Sequence, residues 1–471
     1  MPHPLVAAIP LVVLIGLLAV VISLFGSDAL MGGSQVALLV ATALCISISM
    51  CCYRMPWLTF EQQLKRTIGS VSVTVVMLLI IGMMAGTWMV SGVVPTLIYY
   101  GIQIMSPQYF LVTSCIICSL VSVLSGSSWT TIATIGVALL GIGTALGMSP
   151  AWVAGAIISG AYFGDKMSPL SDTTLLASSA TGTDLFRHIR YMTLTTGPTI
   201  AVTLAVFLIA GFGVQASAPL HISQYTDGLA STYHISLWTL LVPVGTGILI
   251  WRKVPSLITL FASAVMALLV ALFLQPHILE QVGDGSLLRG LFITCYGATA
   301  VDTGNAALNS LVATRGMAGM LPTVWLIVCA MCFGSAMVAT RMLDSLTTLL
   351  LRRVHSRLGI VASTVGTGLF LNVTTGDQFI SIVLTADMYR DLYRREGYES
   401  RLLSRTTEDA ATVTSVLIPW NTCGMTQSTV LGVATLTYLP YCFFNYLSPL
   451  TTLIVAAIGW RIRKKAELMQ A

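Results

Sequence analysis

From Leu5 to Phe25 the chain carries no charged side chain, and runs of this kind return along all of its 471 residues. About 20 apolar residues is the length at which an α-helix crosses the hydrocarbon of a bilayer. Lipid offers no partner for a free backbone N–H or C=O, so only helices and closed barrels span it. Barrel strands are shorter and alternate in polarity, and these long unbroken runs therefore select helices. Only 9% of the residues are charged, against about 25% in a soluble domain. So few charges cannot cover a water-facing shell. The fold class is all-α, a polytopic membrane protein whose main partner is the lipid bilayer.

The run from Leu5 is too long for a signal-peptide core and has no preceding Lys or Arg, so it reads as a retained helix. Further apolar spans fall near 36–53, 70–92, 108–124, 127–147, 150–181, 191–215, 234–251 and 254–275. A mixed segment at 291–312 follows, then 320–340, 358–374, 376–389, 406–438 and 441–460. Positive charge gathers in a few places between these spans. They are Arg54/Lys65/Arg66, Arg187/Arg190, Arg252/Lys253, Arg341 to Arg357, Arg390 to Arg405, and the tail Arg461/Arg463/Lys464/Lys465. Asp28, Asp227 and Glu280/Asp284 mark the alternate segments. Cytoplasmic loops hold the excess of Lys and Arg, which puts both termini in the cytoplasm. The 291–317 region must then enter and return on one side, as a re-entrant element or broken pair. Arg390–Arg405 reads as a solvated cytoplasmic face. Charge spread over loops is no nucleic-acid groove, so no nucleic-acid partner is expected.

The two halves match in order at an offset of about 250. Span 70–92 pairs with 320–340, hairpin 108–147 with 358–389, the interrupted segment 150–181 with 406–438, and 191–215 with 441–460. The charge-derived topology runs each pair in opposite directions, the layout of an inverted repeat. The expected divisions are N-terminal helices at 1–69, a first repeat at 70–215, connecting helices at 216–319, a second repeat at 320–460 and a basic tail at 461–471.

Polar residues concentrate at two hairpin tips and two helix breaks. The first tip holds Ser125, Gly126, Ser127 and Ser128; the second holds Thr374, Thr375, Gly376, Asp377 and Gln378. Hydroxyls and carbonyls around a reversal are hard oxygen donors that suit an alkali cation. In the first interrupted segment Pro169 follows Ser168, with Asp165 and Lys166 before it and Ser171, Asp172, Thr173 and Thr174 after it. Pro419 divides the second, followed by Asn421 and Thr422. Proline removes a backbone donor and disfavours helix in the residue before it, so both helices should unwind there. Unwound halves free carbonyls for a cation and amides for an anion.

Asp165, Asp172 and Asp377 lie deep in this topology, and an intramembrane carboxylate is a functional hypothesis by default. They are the expected Na+ ligands and proton-exchange groups. A plainer reading has Asp165 paired with Lys166 to hold the break together. Glu408 and Asp409 stand where the last interrupted helix begins, where acids complement a helix N-terminus; a gating role is the other reading. Asp302, Asn305 and Asn309 give the 291–317 region a polar interior. The pairs Cys115/Cys118 and Cys329/Cys332 sit in apolar runs and read as small hydrophobes. No nucleophile elbow or phosphate loop points to an enzyme.

At these residues the chain resembles the NhaC-type Na+/H+ antiporter family. The stretches 160–174 and 184–198 look like its central signature, and 377–384, 404–424 and 438–450 are similar again. The likeness covers about 70–460. It implies Na+/H+ exchange across the cytoplasmic (inner) membrane, a superfamily fold with inverted repeats, and a homodimer by analogy. Members also include exchangers of carboxylates such as malate and lactate, and amino-acid carriers. No cofactor is implied beyond the transported Na+ and H+. By match of motif, Asp165, Ser168, Ser171, Asp172, Thr173, Thr174, Asp377, Asn421 and Thr422 inherit the site. Leu175 replaces the family's usual Asn, Gly376 its usual Ala, and 300–317 fits only loosely. A carrier coupled to a small carboxylate or amino acid is the alternative, and a passive channel is a further one.

Overall fold

The computed structural model describes residues 2–25, 32–213, 219–304, 308–309, 312–351 and 356–462. Asp28, Asn305, Arg352, Arg353, Arg463, Lys464 and Lys465 lie outside them. The first four helices are α1 (Pro4–Phe25), α2 (Gly33–Tyr53), α3 (Trp57–Val90) and α4 (Val93–Ile104). A hairpin follows, α5 (Pro107–Ser125) and α6 (Ser128–Ala145), the second arm containing a π turn at Ile132–Gly136. The first interrupted helix is α7 (Pro150–Met167) with α8 (Asp172–Thr181), and α9 (Leu185–Phe212) completes the group.

Connecting helices come next: α10 (Pro219–Thr232), α11 (Leu241–Trp251), α12 (Ser256–Leu274), α13 (Pro276–Val282) and α14 (Leu287–Tyr296). The second half holds α15 (Leu321–Ala339), α16 (Met342–Leu351) and a hairpin of α17 (Arg357–Thr375) and α18 (Gln378–Arg395). Its interrupted helix begins as α19 (Ser400–Thr407), passes through a π turn at Glu408–Thr412 and a 3-10 turn at Ser415–Leu417, and resumes as α20 (Thr422–Leu431). The last helix is α21 (Phe443–Ile458). Among the described residues nine helices are long and apolar enough to cross a membrane, or up to eleven if each of two bent pairs counts as one span. The only β feature described is an isolated bridge between Thr299 and Thr314. The large side chains on the outer helices point outward, Phe273 at 82% exposure and Leu5 at 75%, as lipid-facing residues do.

Backbone chemistry fixes the tips and breaks where the prolines and glycines place them. Gly126 ends α5 at φ +67° and Gly376 ends α17 at φ +68°, a left-handed conformation that only Gly adopts freely. The next residue caps the following helix: Ser127 accepts from Thr130 N at 3.2 Å and Asp377 from Ile380 N at 3.0 Å. The interrupted helices stop at Met167 and Leu417, just before the prolines, and restart on the side-chain caps Ser171 and Asn421. Each closes on a left-handed glycine, Gly182 at +67° and Gly432 at +65°. All four cap pairs stand 250 positions apart.

The break meets the tip closely. A Cβ on Gly126 would lie 2.7 Å from the Leu170 carbonyl carbon, whereas one on Gly182 would meet nothing within 4 Å. Both glycines carry the same φ, so Gly182→Ala costs only the left-handed penalty of about 1–2 kcal/mol. Gly126→Ala must also push the break away. A thermal melt of the purified variants should place Gly126→Ala clearly below Gly182→Ala; equal melts would refute the close packing. On the same side, Cβ atoms at Gly160 and Gly164 would press into the Cys115 and Ser119 carbonyls, so glycine lets α7 lie directly on α5, as small residues do in membrane bundles.

Several charge assignments need correction. Lys65 and Arg66 sit on α3, which starts at Trp57, rather than in a loop, because the Gln and Lys side chains there are good helix formers. The Arg341–Arg357 stretch contains α16. Arg405 is fully buried, so Arg390–Arg405 is not a solvated face along its whole length. Glu408 and Asp409 do not open a helix; they lie within one, buried, at its π turn.

Candidate functional site

A cavity of about 660 Å³ opens where the first tip, the first break and the start of α18 meet α3 and the turn between α11 and α12. Its lining includes Ser125, Ser127, Asp165, Ser171, Asp172, Thr173 and Gln378. Asp165, in the last turn of α7, is 6% exposed. Its Oδ2 accepts from Ser128 N at 3.1 Å and Ser128 Oγ at 2.7 Å, and its Oδ1 from Ser171 Oγ at 2.5 Å. These three donors, from the first tip and the first break, fix the orientation of the Asp165 carboxyl. The Ser171 hydroxyl also meets Thr173 at 3.0 Å, and Thr173 donates to Glu408 Oε1 at 3.1 Å. This chain of oxygens runs from the first half into the second. Asp172 is exposed and lines the same cavity.

At the second tip Asp377 is 2% exposed. Its Oδ1 caps α18, and Thr422 Oγ1 donates to its Oδ2 at 3.3 Å. Thr422 N donates to Gly376 O at 2.8 Å, tying the second break to the second tip. Gln378 and Ser415 meet at 3.3 Å, at the positions that Ser128 and Asp165 hold in the first half. The carboxylate has changed place: the first half carries it on the interrupted helix, the second half at the tip.

Lys166 turns away from Asp165. Its ammonium pairs with Asp409 and meets Ser448 Oγ at 3.2 Å. Asp409 also accepts from Ser448 at 3.0 Å, from Thr195 at 2.9 Å and from Thr452. The guanidinium of Arg405 stands 3.9 Å from it, over the Tyr191 ring, with no hydrogen bond of its own. Two buried cations thus share one carboxylate between the two interrupted helices. The plainer reading of Asp165 as the partner of Lys166 is corrected: the ammonium reaches across to the second half.

The structure brings Ser125, Ser127, Ser128, Asp165, Ser171, Asp172 and Thr173 together, with Glu408 behind them, and it gathers Asp377, Asn421 and Thr422 at the second tip. Others serve locally. Ser168 donates to Val123 O at 2.8 Å, pinning the break to α5. Thr174 closes onto Lys166 O, Thr374 onto Phe370 O, and Thr375 onto Leu371 O. Asp302 is exposed and held by Gly304 N and Asn309 Nδ2, both at 3.0 Å; these local donors keep its carboxyl below the usual range, and among the described residues no hydrogen bond or ion pair links it to the tips. Sequence reasoning missed Arg405 and the true partner of Lys166. Composition gave no signal for either: Lys166 directly follows Asp165, and Arg405 stands in a run rich in charged residues. Among the described residues no three His, Cys, Asp or Glu side chains converge. Single carboxylates ringed by hydroxyls fit a monovalent cation better than a divalent one, which collects more charge.

An apolar helical shell around polar helix breaks defines a polytopic membrane protein of the transporter class. The chain belongs to the Na+/H+ antiporter family, whose model matches residues 4–208 and 160–460. It is 38% identical to the Na+/H+ antiporter NhaC of Alkalihalophilus pseudofirmus over 83% of both chains. It is 33% identical to the malate-2H+/Na+-lactate antiporter of Bacillus subtilis, over 79% of this chain and 78% of the other. It is also 33% identical to the arginine/ornithine antiporter ArcD of Halobacterium salinarum, over 98% and 93%.

Proposed function

We propose that the chain exchanges Na+ for H+ across the cytoplasmic membrane by alternating access, with both termini cytoplasmic. The observation that carries this reading is Asp165, a buried carboxylate held by three donors and lining a cavity, in a chain of the Na+/H+ antiporter family. A carboxylate there takes a proton or a cation but not both, and that competition is sufficient for exchange. Ser128, Ser171 and Thr173 complete the Na+ shell, and Asp377 with Thr422 forms the corresponding part of the second half. The two halves are read as inverted repeats; the caps recurring at an offset of 250 support this. Lys253 and Ser256 line the cavity, and by charge their turn is cytoplasmic, so this conformation is open inward.

Purified protein in liposomes holding an interior pH dye tests this. Addition of Na+ under an imposed pH gradient should move protons without any other solute. The second reading, a carrier coupled to a small carboxylate or amino acid, is favoured by the names of two relatives and by a cavity larger than an ion requires. A response only in the presence of such a solute would replace the first reading with the second.

A further inference from the structure

We infer that Asp165 and Glu408 share a single proton through the hydroxyls of Ser171 and Thr173, so that two carboxylates from opposite halves of the chain hold what Na+ displaces. The inference rests on reading Asp165 as the exchange carboxylate and adds a second proton-holding group to it. Glu408 is fully buried, stands in the π turn of the second interrupted helix and is not in the cavity lining. Single π turns inside α-helices are frequent at functional sites.

The hydrogens available between the two acids set the number of protons. Three oxygen contacts join them: Asp165 Oδ1 to Ser171 at 2.5 Å, Ser171 to Thr173 at 3.0 Å, and Thr173 to Glu408 Oε1 at 3.1 Å. Each contact needs one hydrogen, a hydroxyl brings one, and an ionised carboxylate only accepts. With both acids ionised, Ser171 gives its hydrogen to Asp165, Thr173 gives its own to Glu408, and the contact between the hydroxyls has none. One proton on either acid fills all three contacts. The two fillings interconvert by relay. The Asp165 O–H bond breaks as Ser171 takes that proton, Ser171 passes its own to Thr173, and Thr173 passes its own to Glu408. Three O–H bonds break and three form, and one negative charge moves from Glu408 to Asp165, where Na+ meets it.

Charge leads to the same number independently. At the junction of the two interrupted helices the buried charged groups are Asp165, Glu408, Asp409, Lys166 and Arg405. His188 is buried there too, but an imidazolium carries a hydrogen on both nitrogens. Its Nε2 has no hydrogen-bond partner, so His188 counts as neutral. Asp377 bonds within the second tip, to Ile380 N and Thr422, and Asp172 is exposed. Three acids against two cations leave one negative charge, and a buried charge is costly unless it is paired. One H+ or one Na+ brings the group to zero.

Infrared spectra of the full-length protein in detergent, recorded with and without Na+, test this. The wild type should show the C=O band of a protonated carboxyl, and Na+ should remove it. Glu408→Gln should lose that band although Asp165 is intact, because two acids then balance two cations; Glu408→Asp should regain it. If Glu408→Gln is not monodisperse, Thr173→Val takes its place: it removes one hydroxyl of the relay and should shift the band. A wild type without the band, a Na+-sensitive band unchanged in Glu408→Gln, or one unmoved in Thr173→Val would overturn the inference. The spectra read the proton itself, so a wild type that shows the band and moves no protons in liposomes would count against the exchange reading alone.

Discussion

Asp165→Asn should lower the apparent affinity for Na+ by about a thousandfold, whereas Asp172→Asn should lower it by about fivefold. The sequence gives these two aspartates equal weight, since both flank Pro169 among hydroxyl residues. Their surroundings separate them. Asp165 is 6% exposed, where two unit charges about 4 Å apart interact by about 4 kcal/mol at an effective dielectric of 20, while the same pair in water is worth about 1 kcal/mol. Asp172 sits in the exposed lining of the cavity and follows the second figure. Asparagine keeps the shape and an acceptor for Ser128, so the fold should persist. Half-saturating Na+, measured from proton movement in liposomes, checks the ranking. Comparable losses in the two variants, or exchange like the wild type's in Asp165→Asn, would remove Asp165 from the site.

The architecture of the site was legible wherever a single residue type dictates local backbone. Proline cannot continue a helix without losing a bond, so Pro169 and Pro419 announced both breaks, and the helices stop at Met167 and Leu417 just before them. Glycine is the residue for a left-handed turn, so Gly126 and Gly376 announced both tips. Which side chain faces which was not legible. Lys166 follows Asp165 directly, yet successive residues on a helix point about 100° apart, and the ammonium leaves toward Asp409 across the molecule. Arg405 looked like one more loop arginine because its neighbours Arg390, Arg394, Arg395 and Arg401 are charged. Only the packing of α19 against Tyr191 removes it from water. Likewise Asp302 and Asn309 have the composition of a binding segment, but Asn309 bonds to Thr303 and to Asp302 within their own turn.

The pairing of Lys166 with Asp409 leads to the second large effect, on stability rather than transport. Asp409→Asn should be the most destabilising single substitution at the junction of the two interrupted helices. It strands Lys166 and Arg405, both buried at 0% side-chain exposure, without the carboxylate they share. Breaking a buried pair from one side costs about 3–5 kcal/mol because the remaining charge is uncompensated, a large part of the roughly 5–15 kcal/mol that holds a folded protein together. Lys166→Met removes the other partner, yet Asp409 then keeps Arg405 beside it and the hydroxyls of Thr195, Ser448 and Thr452. Its loss should therefore be smaller. Thermal melts of the purified variants, with the fraction recovered as a monodisperse peak, should rank wild type above Lys166→Met and Lys166→Met above Asp409→Asn. The reverse order would mean that Asp409, not the two cations, is the group that suffers from being left alone, and that Arg405 gives it no effective support.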